Sequence, residues 1–318
     1  MTILVAGGTG FMGGAIARHL MAAGRDVRIL TRSASRARSV VARWPGGPQA
    51  LQENRVTFAE GDVTDARSLP AAVEGASVVI QATQFPGAPV EDPRKGYTYL
   101  NVDRGGTINL VAAATSSRPH IMYLSGVGVT EGHGFPWVRA KLEAEEAVQT
   151  GGCPWTIVRS SWAYGPGDRS LNRLLGYARR LPFLPFFGDG QELVTPVHVE
   201  DVGRLFAELA AAPEAAADAV LPLGGPETLT MNDVLRTGMD VMQTRRPILH
   251  VPLPLGRAMG AVAQYLPGRP LTPGAVDFVA HGGVADPAPI AALLPAFETV
   301  PLRTALSAYL APKMGGRT

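Results

Sequence analysis

The chain has 318 residues, 46% hydrophobic and 18% charged, the balance of an ordered globular protein rather than a disordered one. Its 29 Lys and Arg against 27 Asp and Glu leave a net charge of only +2. No basic stripe stands out along the chain, so no nucleic-acid partner is expected. The length allows two domains, or one large core with an appended lobe.

The chain opens on a strand-like run, Ile3–Ala6, with no charged leader or cleavage site before it, so no signal peptide is expected. No apolar stretch approaches the ~18 residues of a membrane span. The lone Cys153 excludes an intramolecular disulfide and a Cys-based metal cluster, and fits a reducing, cytoplasmic compartment. Further strands are predicted at Val27–Leu30, Val56–Phe58, Val78–Gln81, Ile121–Leu124 and Thr156–Arg159. Helices are predicted between them at Phe11–Ala23, Ser35–Arg43, Ala66–Val73, Tyr99–Ala114 and Pro136–Gln149. Short buried strands alternating with helices read as βαβ units around a parallel sheet. Trp44–Gln52, rich in Pro and Gly, reads as a surface insertion.

After about residue 160 prolines and glycines cluster and the strand signal fades. Helices are predicted at Glu200–Ala211, Met231–Met242, Leu255–Tyr265, Pro273–Ala280 and Leu302–Leu310. The expected organisation is a doubly wound α/β domain over 1–160 and a smaller, mainly helical C-terminal lobe over 161–318. Val194–Val197 and Ala219–Leu223 are expected to return to the sheet or its edge.

The strongest chemical signal is Gly7-Gly8-Thr9-Gly10-Phe11-Met12-Gly13, between the first strand and the first helix. In such a G-x-x-G-x-x-G turn the first glycine makes the bend. The second admits a pyrophosphate to the backbone, and the third lets helix and strand pack closely. The helix N-terminus then holds the anion through free amides and its dipole. The fold expected is therefore of Rossmann type, binding a dinucleotide. At the end of the second strand, about 20 residues on, an NAD site usually carries an acid for the ribose hydroxyls. Here stand Thr31, Arg32 and Ser33, with Arg36 and Arg38 beyond. A guanidinium pairs with a 2′-phosphate that a carboxylate would repel, so NADP(H) is expected over NAD(H). Asp62, followed by Val63, is a candidate acceptor for the adenine amino group or a helix cap. The run Ala82, Thr83 and Gln84 lies where a cofactor would cross the sheet edge.

The chain resembles the extended and atypical short-chain dehydrogenase/reductases. The likeness rests on the glycine motif, Gly61-Asp62-Val63-Thr64-Asp65, Ser125, Arg139-Ala140-Lys141-Leu142-Glu143, Tyr164-Gly165-Pro166-Gly167-Asp168 and Pro196-Val197-His198. Leu223-Gly224-Gly225-Pro226 and Val251-Pro252-Leu253-Pro254 are similar to the atypical NAD(P)H-binding group that contains the accessory NADPH-binding subunit of respiratory complex I. They are also similar to divinyl chlorophyllide reductases. The resemblance implies a Ser–Tyr–Lys set, in which Tyr exchanges the proton, Lys lowers its pKa and binds ribose, and Ser orients the substrate oxygen. Ser125 and Lys141 match, but the Tyr position, four before Lys141, is Trp137, and indole is a donor only. Asp103 stands where the family often has Asn. His133 is a weaker candidate acid in a loop with Gly132 and Gly134, and His198 reads as structural. The apolar Leu181–Phe187 loop is a candidate wall for a substrate or a partner.

Two functions follow. One is an NADPH-dependent oxidoreductase that reduces a carbonyl or conjugated alkene of a small or medium apolar substrate without the usual Tyr. The other is a non-catalytic NADPH-binding structural or redox-sensing subunit, which leaves room for a protein partner or self-association.

Overall fold

The structure, a computed structural model, describes residues 1–129, 134–267 and 269–311. Gly132 and His133, with the loop reading placed on them, lie outside the described residues. Seven strands form the central sheet: β1 (Thr2–Ala6), β2 (Asp26–Thr31), β3 (Val56–Glu60), β4 (Ala76–Gln81), β5 (His120–Gly126), β6 (Trp155–Ser160) and β7 (Ala219–Leu223). Their order is β7-β6-β5-β4-β1-β2-β3, and every neighbouring pair is parallel. This is the expected Rossmann-type α/β fold with a smaller, mainly helical C-terminal lobe. The strands read as unbroken apolar runs because helices cover both faces. Ile3, Val5, Val78 and Ile80 pack to one side with Ile16 and Phe206. Leu4, Val79 and Tyr123 pack to the other with Val138 and Ala144.

The strand order reverses between β1 and β4. Open α/β sheets bind ligands outside the carboxyl ends of the strands at such a switch point. Gly7 and Ala82 sit directly beyond those two ends. The helix after β1, Phe11–Ala22, is backed by a helix from far along the chain, Val199–Leu209. A Cβ on Gly203 would lie 2.7 Å from the Ala15 carbonyl oxygen, so the two helices touch at backbone distance. Glu200 completes the contact, accepting from Arg18 and lying 2.9 Å from His19 Nε2.

Four expectations change. Trp44–Gln52 is not a bare insertion: Gly47–Gln52 is a helix with Gly47 and Ala50 buried. Leu171–Arg180 is a helix that the surrounding Pro and Gly clusters concealed; it buries Leu171, Leu175 and Ala178 at helical spacing. Within Leu181–Phe187, Leu184–Phe187 is a strand, paired in parallel with Ile248–Val251. Ala219–Leu223 joins the main sheet as β7, but Leu193–Val194 and Val197–His198 do not. They pair with Leu229–Thr230 and Ala163–Tyr164. The C-terminal lobe closes its own core around Leu175, Phe186, Val234, Leu235 and Leu306.

Candidate functional site

A single cleft of about 2600 Å³ runs over the carboxyl edge of the sheet. Ordinary ligand pockets hold roughly 300–1,000 Å³, so it has room for a dinucleotide and a second molecule. Most of the residues singled out from the sequence line it: Gly7, Thr9, Gly10, Phe11, Met12 and Gly13 at one end, then Arg32, Ser33, Arg36, Asp62, Val63, Ala82, Thr83 and Gln84, and Ser125 and Lys141 at the other.

The glycine turn is shaped by backbone contacts. Gly7 has φ +81°, and a Cβ there would lie 2.5 Å from the Ala82 carbonyl oxygen. A Cβ on Gly13 would lie 2.3 Å from the Gly7 carbonyl oxygen. The turn closes with Gly10 N–H donating to the Gly7 carbonyl (2.8 Å), and the first intrahelical bond runs from Gly14 N–H to the Gly10 carbonyl (2.9 Å). Phe11, Met12 and Gly13 therefore present amides with no partner inside the helix, and no side chain caps them.

At the end of β2 the Thr31 hydroxyl donates to the Ser33 carbonyl (3.1 Å) and accepts from its amide (3.2 Å). Ser33 caps the Ala34–Val41 helix. Arg32 is more than half exposed, with Nε 3.9 Å from Asp62 Oδ2. Asp62 does not cap the next helix: Oδ1 accepts from the Thr64 amide (2.9 Å) and hydroxyl (2.8 Å), and Asp65 is the cap. Arg36 lines the cleft, while the Arg38 guanidinium lies over the Phe58 ring.

The other end is built from the Pro136–Thr150 helix and β5. Lys141 is not the exposed helix lysine paired with Glu145 that the sequence also allowed. Arg159 holds Glu145 through two bonds, 3.0 and 2.6 Å. Lys141 Nζ donates instead to Asp103 Oδ1 (3.2 Å), with Asp103 1% exposed. Burial raises the Asp103 carboxyl, and the Lys141 ammonium opposes the shift. Burial would lower Lys141, but its neighbours Tyr123 and Asp103 outweigh it and hold the ammonium above its ordinary range. Lys141 is thus a fixed cation at neutral pH. Tyr123, two residues before Ser125 on the same face of β5, is pushed by burial up to about 12.

Several buried polar atoms here have no partner among the described residues: Thr83 Oγ1, Ser125 Oγ and Trp137 Nε1, with Tyr99 Oη, Asp103 Oδ2 and Tyr123 Oη behind them. Trp137 packs edge-on against Phe278 (5.4 Å) and His281 (5.2 Å), and Tyr99 against Phe85 (4.8 Å). Sequence reading missed this aromatic wall, because Phe278 and His281 lie some 140 positions beyond Trp137 and no local spacing joins them. Tyr123 was findable from strand alternation. His198 stands apart from the cleft lining, tilted against Tyr164 (5.5 Å). Among the described residues no helix is long and apolar enough to cross a membrane.

Residues 3–221 match the NAD dependent epimerase/dehydratase family. Over 266 residues the chain is 25% identical to the mitochondrial NADH dehydrogenase (ubiquinone) 1 alpha subcomplex subunit 9 of Arabidopsis thaliana, covering 82% of this chain and 63% of that one. It therefore spans less than two thirds of that relative. Over 249 residues it is 28% identical to a ceramide reductase of Caulobacter vibrioides, covering 78% of this chain and 70% of the relative. In fold it is similar to UDP-glucuronic acid 4-epimerase from Bacillus cereus, solved with UDP-glucuronic acid and NAD, at TM-score 0.72, 20% identity and 97% coverage of both chains.

Proposed function

The chain belongs to the NAD dependent epimerase/dehydratase family, and on that premise we propose that it is an NADPH-dependent reductase of a carbonyl or conjugated alkene in a small or medium apolar substrate. The residues fit a dinucleotide: the glycine turn leaves a cradle that a Cβ on Gly7 or Gly13 would fill, and the Phe11–Gly13 amides point an uncapped helix end at it. When bound, the dinucleotide supplies a hydride. Arg32, with no acid at Thr31, offers a guanidinium to a 2′-phosphate. Of the nearest carboxylates, Glu60 accepts from the Ala34 amide (2.8 Å), and Asp62 accepts from Thr64 through Oδ1 while its Oδ2 lies 3.9 Å from Arg32 Nε.

The observation that carries the reductase reading is the set of unpartnered donors beside Lys141. Ser125 O–H and Trp137 N–H are buried, line the cleft and bond to nothing among the described residues. Donors held ready on a buried wall stabilise an oxygen that gains negative charge, and the fixed Lys141 ammonium adds to that field. Indole gives no proton away, so the set suits an enolate-like intermediate, which takes its proton late from water. The Tyr123 phenol does not line the cleft and is no substitute acid. The apolar, aromatic wall suits an apolar substrate, and the similarity to a ceramide reductase is consistent with one.

The test is NADPH oxidation across a panel of enones, ketones and quinones. The expected result is turnover of an enone or ketone, reduced about 10²-fold in Ser125→Ala. In calorimetry Arg32→Ala is expected to weaken NADPH by about 1.5 kcal/mol, the low end for a charged hydrogen bond because Arg32 is exposed, and to leave NADH unchanged. Equal wild-type affinity for the two cofactors overturns the NADPH preference. A second reading, a non-catalytic NADPH-binding subunit, is favoured by Trp137 and by the similarity to a complex I subunit. Tight NADPH binding with no turnover on the whole panel would decide for it.

A further inference from the structure

Two segments of the C-terminal lobe stand apart in charge. Residues 169–188 and 241–276 together carry eight arginines and no Asp or Glu. The whole chain balances 29 basic residues against 27 acidic ones, so the remainder holds more acid than base. The sequence shows no long basic run, but the fold brings the Arg179-Arg180 pair near the Arg245-Arg246 pair. The strands Leu184–Phe187 and Ile248–Val251 pair in parallel, and Arg246 Nε donates to the Leu181 carbonyl (3.0 Å). The Leu253–Ala263 helix then packs back through Gly256, where a Cβ would lie 2.7 Å from Phe187 Cδ1.

The same two segments supply nine of the fourteen exposed large apolar side chains among the described residues. One face of the helix and its following turn carries Leu255, Met259, Val262 and Leu266, at 54%, 48%, 69% and 53% exposure. The spacing of 4, 3 and 4 makes this a single stripe. The opposite face is in use, since a Cβ on Gly260 would lie 2.7 Å from the Thr272 carbonyl carbon. Tyr265, 76% exposed, follows the stripe, and Tyr177, Leu181 and Phe183 are exposed in the other segment; Tyr177 and Leu181 line the same cleft as Met259. The stripe is continuous with the cleft, whose lining includes Met259, Tyr265 and Leu266.

Charge decides what fits this surface. Arg257 is paired with Asp277 (2.7 Å) and Arg269 with Asp92 (3.3 Å). Asp189 is exposed just beyond the first segment. Arg179, Arg180, Arg245 and Arg246 are exposed and make no ion pair among the described residues. An exposed apolar helix face, in segments that carry four unpaired arginines and no acid, is the pattern of a helix that lies in a lipid headgroup layer. We propose that this face docks on an anionic phospholipid bilayer, the Leu255–Leu266 stripe entering the headgroup region and the free arginines meeting lipid phosphates.

The experiment is flotation of the full chain with vesicles of phosphatidylcholine alone or mixed with phosphatidylglycerol, without cofactor or substrate, so that its outcome is separate from that of the reductase assay. The chain is expected to float with mixed vesicles, and much less with neutral ones or at high salt. Leu255→Asp with Val262→Asp should abolish flotation. Arg179→Gln and Arg180→Gln should weaken it about fivefold per arginine. These positions do not line the cleft, and unchanged NADPH binding by each variant shows that it is folded. Absence of flotation with mixed vesicles overturns the proposal, as does equal binding to neutral ones. A concentration-dependent dimer that is lost in Leu255→Asp/Val262→Asp, with no vesicle binding by the wild type, would assign the face to a second copy instead.

Discussion

The two ends of the cleft are built on opposite plans. At the glycine end the shape comes from backbone: Gly7 against Ala82, Gly13 against Gly7, and three amides at a helix start. At the Lys141 end the shape comes from side chains, and several of their polar atoms are buried without partners. A buried polar atom without a partner is costly, so such atoms gathered on one wall indicate a place where a ligand supplies the missing bonds. On the proposed function, the first end is a fixed mould for an anion and the second holds its donors ready for one.

The largest effect expected is at the second end. Trp137→Tyr places an ionisable hydroxyl one helical turn from Lys141, whose positive charge lowers its pKa. Carbonyl reduction and alcohol oxidation should rise by about 10²–10⁴-fold, the usual worth of general acid–base catalysis, with NADPH affinity kept. Strong wild-type oxidation of secondary alcohols, insensitive to residue 137, would break the comparison, because the acid would then lie elsewhere. Next comes the buried pair. Lys141→Ala strands Asp103, already lacking a partner at Oδ2, and should cost about 3–5 kcal/mol in urea unfolding. Lys141→Met with Asp103→Asn should recover most of that stability but not the activity. If it recovers both, Lys141 serves only the fold.

Smaller effects test the mould. Gly13→Ala forces a methyl against the Gly7 carbonyl and should cost about 1–3 kcal/mol of stability, with NADPH affinity falling alongside. A variant as stable and as tight as the wild type would refute the close approach. The smallest effect concerns the helix behind the turn. Hydrogen bonding from His19, with Arg18 beside it, lowers the Glu200 carboxyl from 4.5 to about 2. A lowered carboxyl contributes stability above its unfolded pKa and loses it as pH falls through the folded one. The advantage of the wild type over Glu200→Gln in thermal melts should therefore hold above pH ~4.5 and vanish towards pH ~2. It should stay below about 1 kcal/mol, because the pair is partly exposed.

The six strands expected before residue 160 are all present with slightly wider bounds, because parallel strands buried on both faces are written as unbroken apolar runs. The glycine end was legible for a related reason: its contacts join residues six apart or lie at adjacent strand ends. The Lys141 end was legible only where one helix or strand carries it, as with Ser125, Trp137 and Lys141. Asp103 could be named as a departure, but its bond to Lys141 spans 38 positions and no period encodes it. The Leu171–Arg180 helix and the pairing of Leu184–Phe187 with Ile248–Val251 were hidden by prolines and glycines that punctuate the lobe.

The contact between Phe11–Ala22 and Val199–Leu209 bears on how the molecule is made. A ribosome releases the glycine turn early, yet the helix behind it finds Gly203 and Glu200 only after some 180 further residues, and β7 closes the sheet later still. Closing so long a loop is slow compared with forming local βα units. The emerging chain therefore carries the apolar back of its first helix uncovered while most of the sequence is translated. Apolar surface exposed in such an interval is the kind through which chains aggregate and which chaperones cover. A fragment ending near residue 160 would remain in that state permanently.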